Sequence, residues 1–411
     1  MKMKYPDKCV CVYDYGLHLS VAHKLAKDFG KVYLYTPWKS FFPTSVDTAI
    51  GSGYDDFEKI HNLWDYIDEI DLFFFPDISD GDLQLHLVSM GKLVWGSREG
   101  EMLELDRFGF LEHLKTLGLN VAESELAEGL DDLEEKLKKV DNKFIKCDGQ
   151  YRGDMETFFH KNYNTTRPLI DKLRHQMGPL GSKVKFIIQE PIESDIEYGF
   201  DTFIIDGEFP ESISYGFEIK DLGYVCQVMK FSDMDKGITD IFDKLKPTFK
   251  EYGYRGNFSA ELRKDKSGKF YFTDSCNRCP NPATFTMMLM IDNFAEIVWE
   301  GAQGNIVEPK WAAEYGAEVT VNSEFIKHNF GQLFYPDEVK PFMNQMNACM
   351  IDGVEWFVPN GVIDSYGSVA AIGDDPKKML DELKERIESI QGYQINISTN
   401  GLDEALEKLT E

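Results

Sequence analysis

Short apolar runs alternate with amphipathic stretches along the first hundred residues. Residues 9–14 and 31–36 are β-rich runs, and residues 21–29 between them have helical spacing. A second helix is predicted near residues 57–68, before a buried-type strand at residues 71–75. Strands that alternate with helices in this way predict a parallel sheet.

The central region is predicted to contain amphipathic helices and antiparallel strands. The predicted helices are residues 107–117, 130–140 and 238–249, and the predicted strands are residues 93–95, 143–147, 256–263 and 269–274. Asp206-Gly207 predicts a hairpin turn within the strand-rich residues 183–216. The segment KDKSG joins the last two of these strands, which predicts a second hairpin.

A last α/β segment follows Pro309, with a strand at residues 367–372 and a helical apolar face up to Ile390. The fold class is therefore predicted as α/β and α+β. Three domains are expected, with boundaries at residues 1–102, 103–318 and 319–411, and with a lid subdomain at about residues 120–190.

The chain is strongly acidic, and this limits its partners. It has 71 acidic and 44 basic residues among 411, so its formal net charge of -27 predicts no stable binding to nucleic acid. No stretch approaches 18 apolar residues and no signal peptide precedes the first strand, which predicts a cytoplasmic protein without a membrane segment. Seven scattered cysteines are interpreted as reduced thiols.

A lysine at the end of a strand, followed by glycines, is the first candidate for chemistry. Lys146 lies on the strand that runs into Gly149, and Arg152 lies just beyond. A fixed positive charge beside close backbone N–H groups suits a polyphosphate. An ordinary strand with a glycine turn is the alternative, and Arg152 has a salt bridge to Asp154 as its own alternative.

A second candidate is an extended segment with a carboxylate a few residues later. The backbone of Gln189, Glu190 and Ile192 is able to hydrogen-bond a purine edge. The carboxylate of Glu197 is able to accept from two ribose hydroxyls. The alternative is a strand end on an acidic surface.

Two carboxylates on the second hairpin form the third candidate. Glu261 and Asp274 lie on neighbouring strands, about 4.8 Å apart, and this spacing allows them to share Mg²⁺. Asn277 is a further candidate metal ligand, and Arg278 is a candidate for holding a transferred phosphoryl group. Two solvated acids on a surface hairpin are the alternative.

Two more cations complete the set. Arg107, at the start of a predicted helix, is positioned to reach an α- or β-phosphate, although a helix-surface arginine is equally consistent with the pattern. Lys220 is a candidate for the γ-phosphate, with Glu218 as its alternative structural partner.

With these residues in order, the chain resembles the ATP-grasp superfamily, and within it most closely the glycinamide ribonucleotide synthetases (phosphoribosylamine–glycine ligases). The segment from Lys146 to Gly149 is similar to the K-x-D-G segment of that family, and Glu261 with Asp274 is similar to its metal-binding strand pair. The resemblance implies an N-terminal parallel-sheet domain before the ATP-grasp domain. It also implies bound ATP and Mg²⁺, with Mn²⁺ as an alternative, and an acyl-phosphate intermediate.

The chain departs from that family on the metal strand and on the acceptor side. The family's metal strand reads E-x-N-x-R, whereas here Cys276 stands at the asparagine position and Asn277 comes one place late. The segment from Tyr15 to Leu19 has no arginine where the family handles the phosphate of the ribosylamine. A different substrate is therefore expected.

The predicted function is that of a carboxylate–amine ligase that uses ATP and releases ADP and phosphate. Its partners would be a small-molecule carboxylate and an amine, and its oligomeric state, monomer or dimer, stays open. One alternative is a degenerate member that binds nucleotide and acts as a regulatory or scaffolding partner. Another is a kinase-like transfer without ligation.

Overall fold

A five-stranded parallel sheet forms the N-terminal part of the computed structural model, which describes residues 2–37, 49–149, 156–194, 197–219 and 222–410. Its strands lie in the order β3-β2-β1-β4-β5 and are β1 (Tyr5–Tyr13), β2 (Phe29–Tyr35), β3 (Glu58–Ile60), β4 (Leu72–Phe74) and β5 (Leu93–Trp95). Helices α1 (Leu19–Leu25) and α2 (Gly81–Ser89) lie between them in sequence. Alternate side chains enter two apolar cores, with Val10 on one face and Cys11 on the other.

The helix predicted near residues 57–68 is wrong. That segment instead forms β3, which pairs in parallel with β2, and a single 3₁₀ turn from Leu63 to Tyr66. The buried residues Phe57, Ile60 and Leu63 are spaced by three, which imitates a helical stripe. The open edge of β2 provides backbone partners for this segment, and Asn62 caps the 3₁₀ turn through the N–H of Trp64.

A four-stranded antiparallel sheet follows two helices, α3 (Met102–Leu105) and α4 (Arg107–Thr116). Its order is β6-β9-β7-β8, and its strands are β6 (Ser124–Glu128), β7 (Lys143–Asp148), β8 (Thr157–His160) and β9 (Lys185–Gln189). Helices α5 (Gly129–Leu137) and α6 (Tyr163–Met177) pack on this sheet through Leu133 and Ile170, which meet Phe186 in one core.

An eight-stranded antiparallel sheet carries most of the candidate residues, in the order β14-β13-β10-β11-β12-β15-β20-β17. These strands are β10 (Glu197–Ile205), β11 (Ser212–Ile219), β12 (Gly223–Lys230), β13 (Arg255–Lys264), β14 (Phe270–Cys276), β15 (Tyr315–Asn322), β17 (Met343–Gln345) and β20 (Ser365–Gly373). Helix α7 (Lys236–Glu251) packs on the β10–β13–β14 side, where Phe242 stacks on Phe200.

The remaining elements complete the C-terminal half. They are α8 (Thr284–Met290), α9 (Phe294–Ala302), α10 (Pro376–Ser389) and α11 (Leu402–Thr410), with the short strands β16 (Leu333–Phe334), β18 (Ala348–Ile351), β19 (Val354–Phe357) and β21 (Gln391–Gly392). Residue 318 lies inside β15, so the large sheet continues across the boundary expected there. None of the described helices combines the length and the apolarity that a membrane crossing requires.

Both predicted hairpins are present. Asp206 and Gly207 connect β10 to β11 with φ angles of 50° and 90°, the left-handed values that such a turn needs. Strands β13 and β14 pair antiparallel across the KDKSG turn. The second hairpin brings Glu261 and Asp274 to the same point of the sheet.

Candidate active site

Glu261 and Asp274 are cross-strand partners on β13 and β14. Directly opposed residues have Cβ atoms about 5 Å apart, so the two carboxyl groups lie side by side. Burial raises the pKa of Glu261 well above its ordinary value, and the charges of Glu197 and Asp274 raise it further. A divalent cation between the two carboxyl groups would relieve this repulsion.

Two cations reach Asp274 from other parts of the chain. The Nζ atom of Lys146, on β7 of the four-stranded sheet, lies 3.2 Å from Asp274 Oδ2 and 3.0 Å from the carbonyl oxygen of Thr273. The Nε atom of Arg107 lies 3.8 Å from Asp274 Oδ1. Burial raises the pKa of Asp274, but Lys146 and Arg107 outweigh burial and lower it to about 2.

The start of α4 is fixed to the end of β7, and this holds Arg107 in place. Asp106 caps the helix by accepting from the N–H of Gly109 at 3.1 Å. The N–H of Phe108 donates to Asp148 at 3.1 Å. The guanidinium of Arg107 also pairs with Glu156, with Nη2 3.1 Å from Oε1.

Glu197 lies on the same face of the large sheet, opposite Arg263. The Nη2 and Nε atoms of Arg263 lie 2.8 Å and 3.4 Å from the two carboxylate oxygens of Glu197. Gly199 stands opposite Glu261. Because glycine has no side chain, the sheet surface between the carboxylates of Glu197 and Glu261 is left uncovered at this position.

The segment after β9 forms one wall of a cleft of about 750 Å³. Gln189 donates to the Ser124 hydroxyl at 3.1 Å, and Glu190 pairs with Lys143. The N–H of Glu190 donates to the carbonyl oxygen of Glu123 at 2.9 Å. Ile192 lines the cleft, whereas Lys146, Glu261 and Asp274 do not, so the cleft lies beside the carboxylate pair.

Gly149 ends the described part of the loop after β7. Its φ is 114°, and a Cβ atom added there would meet no heavy atom within 4 Å, so open space lies beside this backbone. Arg152 and Lys220 lie outside the described residues.

No protein-family model matches the chain, and no curated protein matches it by sequence. Solved structures do match it. A phosphoribosylamine–glycine ligase from Thermotoga maritima superposes with a TM-score of 0.72 at 19% identity, over 95% of this chain and 98% of that chain. A biotin carboxylase from Campylobacter jejuni superposes with a TM-score of 0.64 at 14% identity, over 98% of this chain and 95% of that chain. An L-amino acid ligase from Bacillus licheniformis superposes with a TM-score of 0.62 at 12% identity, over 95% of this chain and 100% of that chain.

The chain has the ATP-grasp fold. The expected architecture is thereby confirmed, with the parallel sheet at the N-terminus followed by the antiparallel sheets. The ATP-grasp fold places Lys146 of the small sheet against Asp274 of the large one.

The residues present in this ATP-grasp fold fit a nucleotide with its divalent metal. Glu261 and Asp274 offer the oxygen ligands that Mg²⁺ prefers, and phosphate oxygens would complete the coordination. Within the described ranges, no group of three His, Cys, Asp or Glu side chains is arranged to hold a metal ion. Lys146 and Arg107 supply positive charge where the phosphates would lie.

Arg278 and Asn277 lie just beyond the end of β14 and contact residues from the N-terminal part of the chain. Arg278 Nε lies 3.1 Å from Glu104 Oε1 and 3.7 Å from Asp77 Oδ1. Asp77 belongs to the segment that follows β4. Asn277 is only 1% exposed, and its backbone N–H donates to Glu104 at 2.7 Å. Arg278 therefore connects the parallel-sheet domain to the large sheet.

Cys276 occupies the strand position that faces the same way as Asp274. It pairs with Ser259 of β13, as Asp274 pairs with Glu261, and successive pairs of this kind share one sheet face. The substitution seen in the sequence thus puts a thiol, and not an amide, beside the carboxylate pair.

Sequence reasoning missed Glu104 and Glu156. Glu104 is 173 residues from its partner Asn277, and Glu156 is 49 residues from Arg107. Neither contact has a local signal in the sequence, since each depends on elements that only the tertiary fold brings together.

Proposed function

We propose that this protein is an ATP-dependent carboxylate–amine ligase that works through an acyl phosphate. The observation that carries the proposal is the contact of Lys146 with Asp274, the cross-strand partner of Glu261. It joins a phosphate-binding cation to a metal-binding carboxylate pair across two sheets. Two of the fold neighbours are named as a phosphoribosylamine–glycine ligase and an L-amino acid ligase, which supports this reaction class.

The carboxylates and the cations have separate roles. Glu261 and Asp274 would hold Mg²⁺, or Mn²⁺ in its place, which would supply positive charge against the phosphates. Lys146 and Arg107, which lie against Asp274, would bind phosphate oxygens. The ion pairs between these cations and Asp274 thus keep both of them preorganised.

The other predicted residues bind the rest of the nucleotide. The backbone of Gln189, Glu190 and Ile192 holds the base, and Glu197 accepts from the ribose hydroxyls. Gly149, with Arg152 beyond it, covers the phosphates. Lys220 assists transfer, and so does Arg278, which Glu104 and Asp77 hold in place. Asn277, whose side-chain oxygen is buried without a hydrogen-bond partner among the described residues, is a further metal ligand.

The proposed reaction has two balanced steps. An oxygen of the substrate carboxylate attacks the γ-phosphorus, the bond to the β-phosphate oxygen breaks, and ADP leaves. The amine nitrogen then attacks the carbonyl carbon of the acyl phosphate, phosphate leaves, and the nitrogen loses a proton to give the amide. Lys146 and Arg107 stabilise negative charge in the first step.

An ¹⁸O-labelled carboxylate tests this route. A panel of amino acids and amines is screened with Mg-ATP for ADP release, and the acid that supports release is then labelled. Transfer of one ¹⁸O into inorganic phosphate, together with amide formation, is the expected result. Phosphate without ¹⁸O would contradict the acyl phosphate.

A nucleotide-binding regulatory protein is the second candidate function, because Cys276 stands beside the metal carboxylates. A protein of this kind would bind Mg-ATP tightly and release no ADP with any member of the panel. Phosphorylated acid without amide would instead indicate a kinase-like transfer.

A further inference from the structure

Strand β14 breaks its alternation just before Asp274. Phe272 enters the apolar core beside α7, and strict alternation would send Asp274 to the same side. In the ladder between β13 and β14, however, Leu262 pairs with Phe272 and Glu261 pairs with Asp274, so the register shifts. Within this described ladder, Thr273 is the residue without a partner. It forms a β-bulge, which turns Asp274 to the opposite face of the sheet.

The residues after the bulge show the change of face. Ser275 pairs with Ala260, which belongs to the same apolar core as Phe272, and Ser275 is only 5% exposed. Ser275 therefore has the core-facing place that strict alternation would give to Asp274. The side chain of Asp274 is 24% exposed and reaches Lys146. The bulge thus decides which of two neighbouring residues faces the proposed metal.

Two hydrogen bonds hold the bulge in place. The hydroxyl of Thr273 donates to the carbonyl oxygen of Glu261 at 2.9 Å. Lys146 Nζ donates to the carbonyl oxygen of Thr273 at 3.0 Å and lies 3.2 Å from Asp274 Oδ2. A bulge takes one residue out of the ladder, so its backbone groups need such partners. Because the β-branched side chain of threonine has few rotamers, little freedom is lost when its hydroxyl is fixed.

The direction of Asp274 matters for a metal more than for an ion pair. Mg²⁺ requires near-octahedral oxygen ligands at about 2.0–2.1 Å, and a site of this kind has to be held within about 0.5 Å. A shift of the bulge would move the carboxylate of Asp274 away from Glu261 and from Lys146 at once, because the bulge contacts both. The bond from Thr273 to the backbone of Glu261 therefore links the two carboxylate-bearing strands at the place where a metal would bridge them.

We infer that Thr273 is a positioning residue of the proposed metal site, and that its hydroxyl fixes the bulge that aims Asp274 at the metal beside Glu261. The inference rests on the proposed function for the metal itself. Thr273 acts through Asp274 and needs no contact with metal or nucleotide. The hydroxyl is what the site requires, so serine is expected to replace threonine, whereas valine, which has the same shape without the hydroxyl, is not.

Binding of Mn²⁺ to the full chain tests the inference without turnover. Free Mn²⁺ is measured by electron paramagnetic resonance, with and without ADP. Thr273→Val is expected to bind Mn²⁺ about tenfold more weakly than the wild type, and Thr273→Ser within about twofold of it. Equal affinities in the wild type and Thr273→Val would overturn the inference. A loss in Thr273→Ser as large as in Thr273→Val would also overturn it, because the hydroxyl would then not be the cause.

The matched control is Thr320→Val. Thr320 lies on β15 of the same large sheet, and its hydroxyl also donates to a backbone carbonyl, that of Leu222 at 3.3 Å. This variant should bind Mn²⁺ as the wild type does, and an equal loss in both valine variants would overturn the inference. Thermal unfolding shows whether each variant folds. If Thr273→Val does not fold, Thr273→Ser and Thr273→Ala, which differ only in the hydroxyl, carry the same comparison.

These results separate the inference from the proposed function. Weakened Mn²⁺ binding by Thr273→Val, with a wild type that releases no ADP in any screen, would leave the positioning role and remove the ligase. ADP release by the wild type, with an unchanged Mn²⁺ affinity in Thr273→Val, would support the ligase and remove the inference. A wild type that binds no Mn²⁺, with or without ADP, would remove both.

Discussion

Lys146 on the small sheet and Asp274 on the large sheet form an ion pair, with Nζ 3.2 Å from Oδ2. Both side chains are largely buried, so solvent screens this contact less than it would screen a surface pair. The pair links the small sheet to the large sheet where the proposed function places the triphosphate and its metal.

Lys146→Ala is expected to weaken ATP binding about 10- to 100-fold, because a hydrogen bond to a charged group contributes about 1.5–3 kcal/mol. Titration calorimetry with Mg-ATP measures the change. The control is Lys139→Ala, which changes an exposed lysine just after α5 and should bind ATP as the wild type does. Wild-type affinity in Lys146→Ala would remove this residue from the phosphate site.

Glu261→Gln is expected to change how the stability of the metal-free protein depends on pH. The pKa of Glu261 is raised in the folded state, so its contribution to stability is present below its ordinary pKa and is lost as pH rises toward the raised value. The wild type should therefore lose up to about 1.4 kcal/mol per pH unit above about pH 4.5 relative to the variant.

Thermal unfolding followed by circular dichroism between pH 5 and 7.5, without Mg²⁺, measures this difference. The melting temperature of Glu261→Gln should rise relative to the wild type as pH increases. Glu251→Gln, at an exposed position at the end of α7, should follow the wild type. Parallel curves for Glu261→Gln and the wild type would show that Glu261 does not titrate in this range.

Glu197→Gln is expected to reduce discrimination between ATP and 2′,3′-dideoxy-ATP. The carboxylate pairs with Arg263, and in the proposed site the ribose hydroxyls would share it with this arginine. The ratio of the two dissociation constants should fall toward one in the variant. Glu193→Gln, whose exposed side chain pairs with Lys266, is the control and should keep the wild-type ratio. Discrimination that survives in Glu197→Gln would place the ribose elsewhere.

Phe242→Ala is expected to destabilise the protein by about 3–5 kcal/mol, because it empties a fully buried aromatic site. Phe242 is 0% exposed and stacks on Phe200 at a centroid distance of 3.7 Å. Unfolding by urea measures the loss. A change below about 1 kcal/mol would mean that the core repacks around the missing ring.

The hairpin of β13 and β14 could be predicted from the sequence because the signals for its strands and its turn are local. Alternating apolar residues and the KDKSG turn predict the pairing of β13 with β14, in which Leu262 faces Phe272. A β-bulge then leaves Thr273 unpaired in the ladder, and this irregularity, which has no signal in the sequence pattern, places Glu261 opposite Asp274. The elements of the four-stranded sheet were harder to predict from the sequence. Helix α6 contains Pro168, which disfavours a helix by local rules, yet the packing of Ile170 and Leu173 into the core beneath the four-stranded sheet stabilises it.

The contacts of the site's cations depend on distant parts of the chain. The role of Arg278 at a transferred group stays a prediction, and the sequence did not predict its contacts with Glu104, which is 174 residues away, and with Asp77. The burial of Asn347, which is 1% exposed, has no local signal in the sequence either, because it depends on the packed molecule.

ADP release by the wild type and by Asp274→Asn, with Mg-ATP and a panel of acids and amines, tests the central claim most directly. Asp265→Asn, in the turn of the same hairpin, is the control. The wild type and the control should release ADP over many turnovers only when metal, an acid and an amine are all present, and Asp274→Asn should lose at least about 100-fold of this rate. Tight ATP binding without ADP release from any combination, or an undiminished rate in Asp274→Asn, would contradict the account.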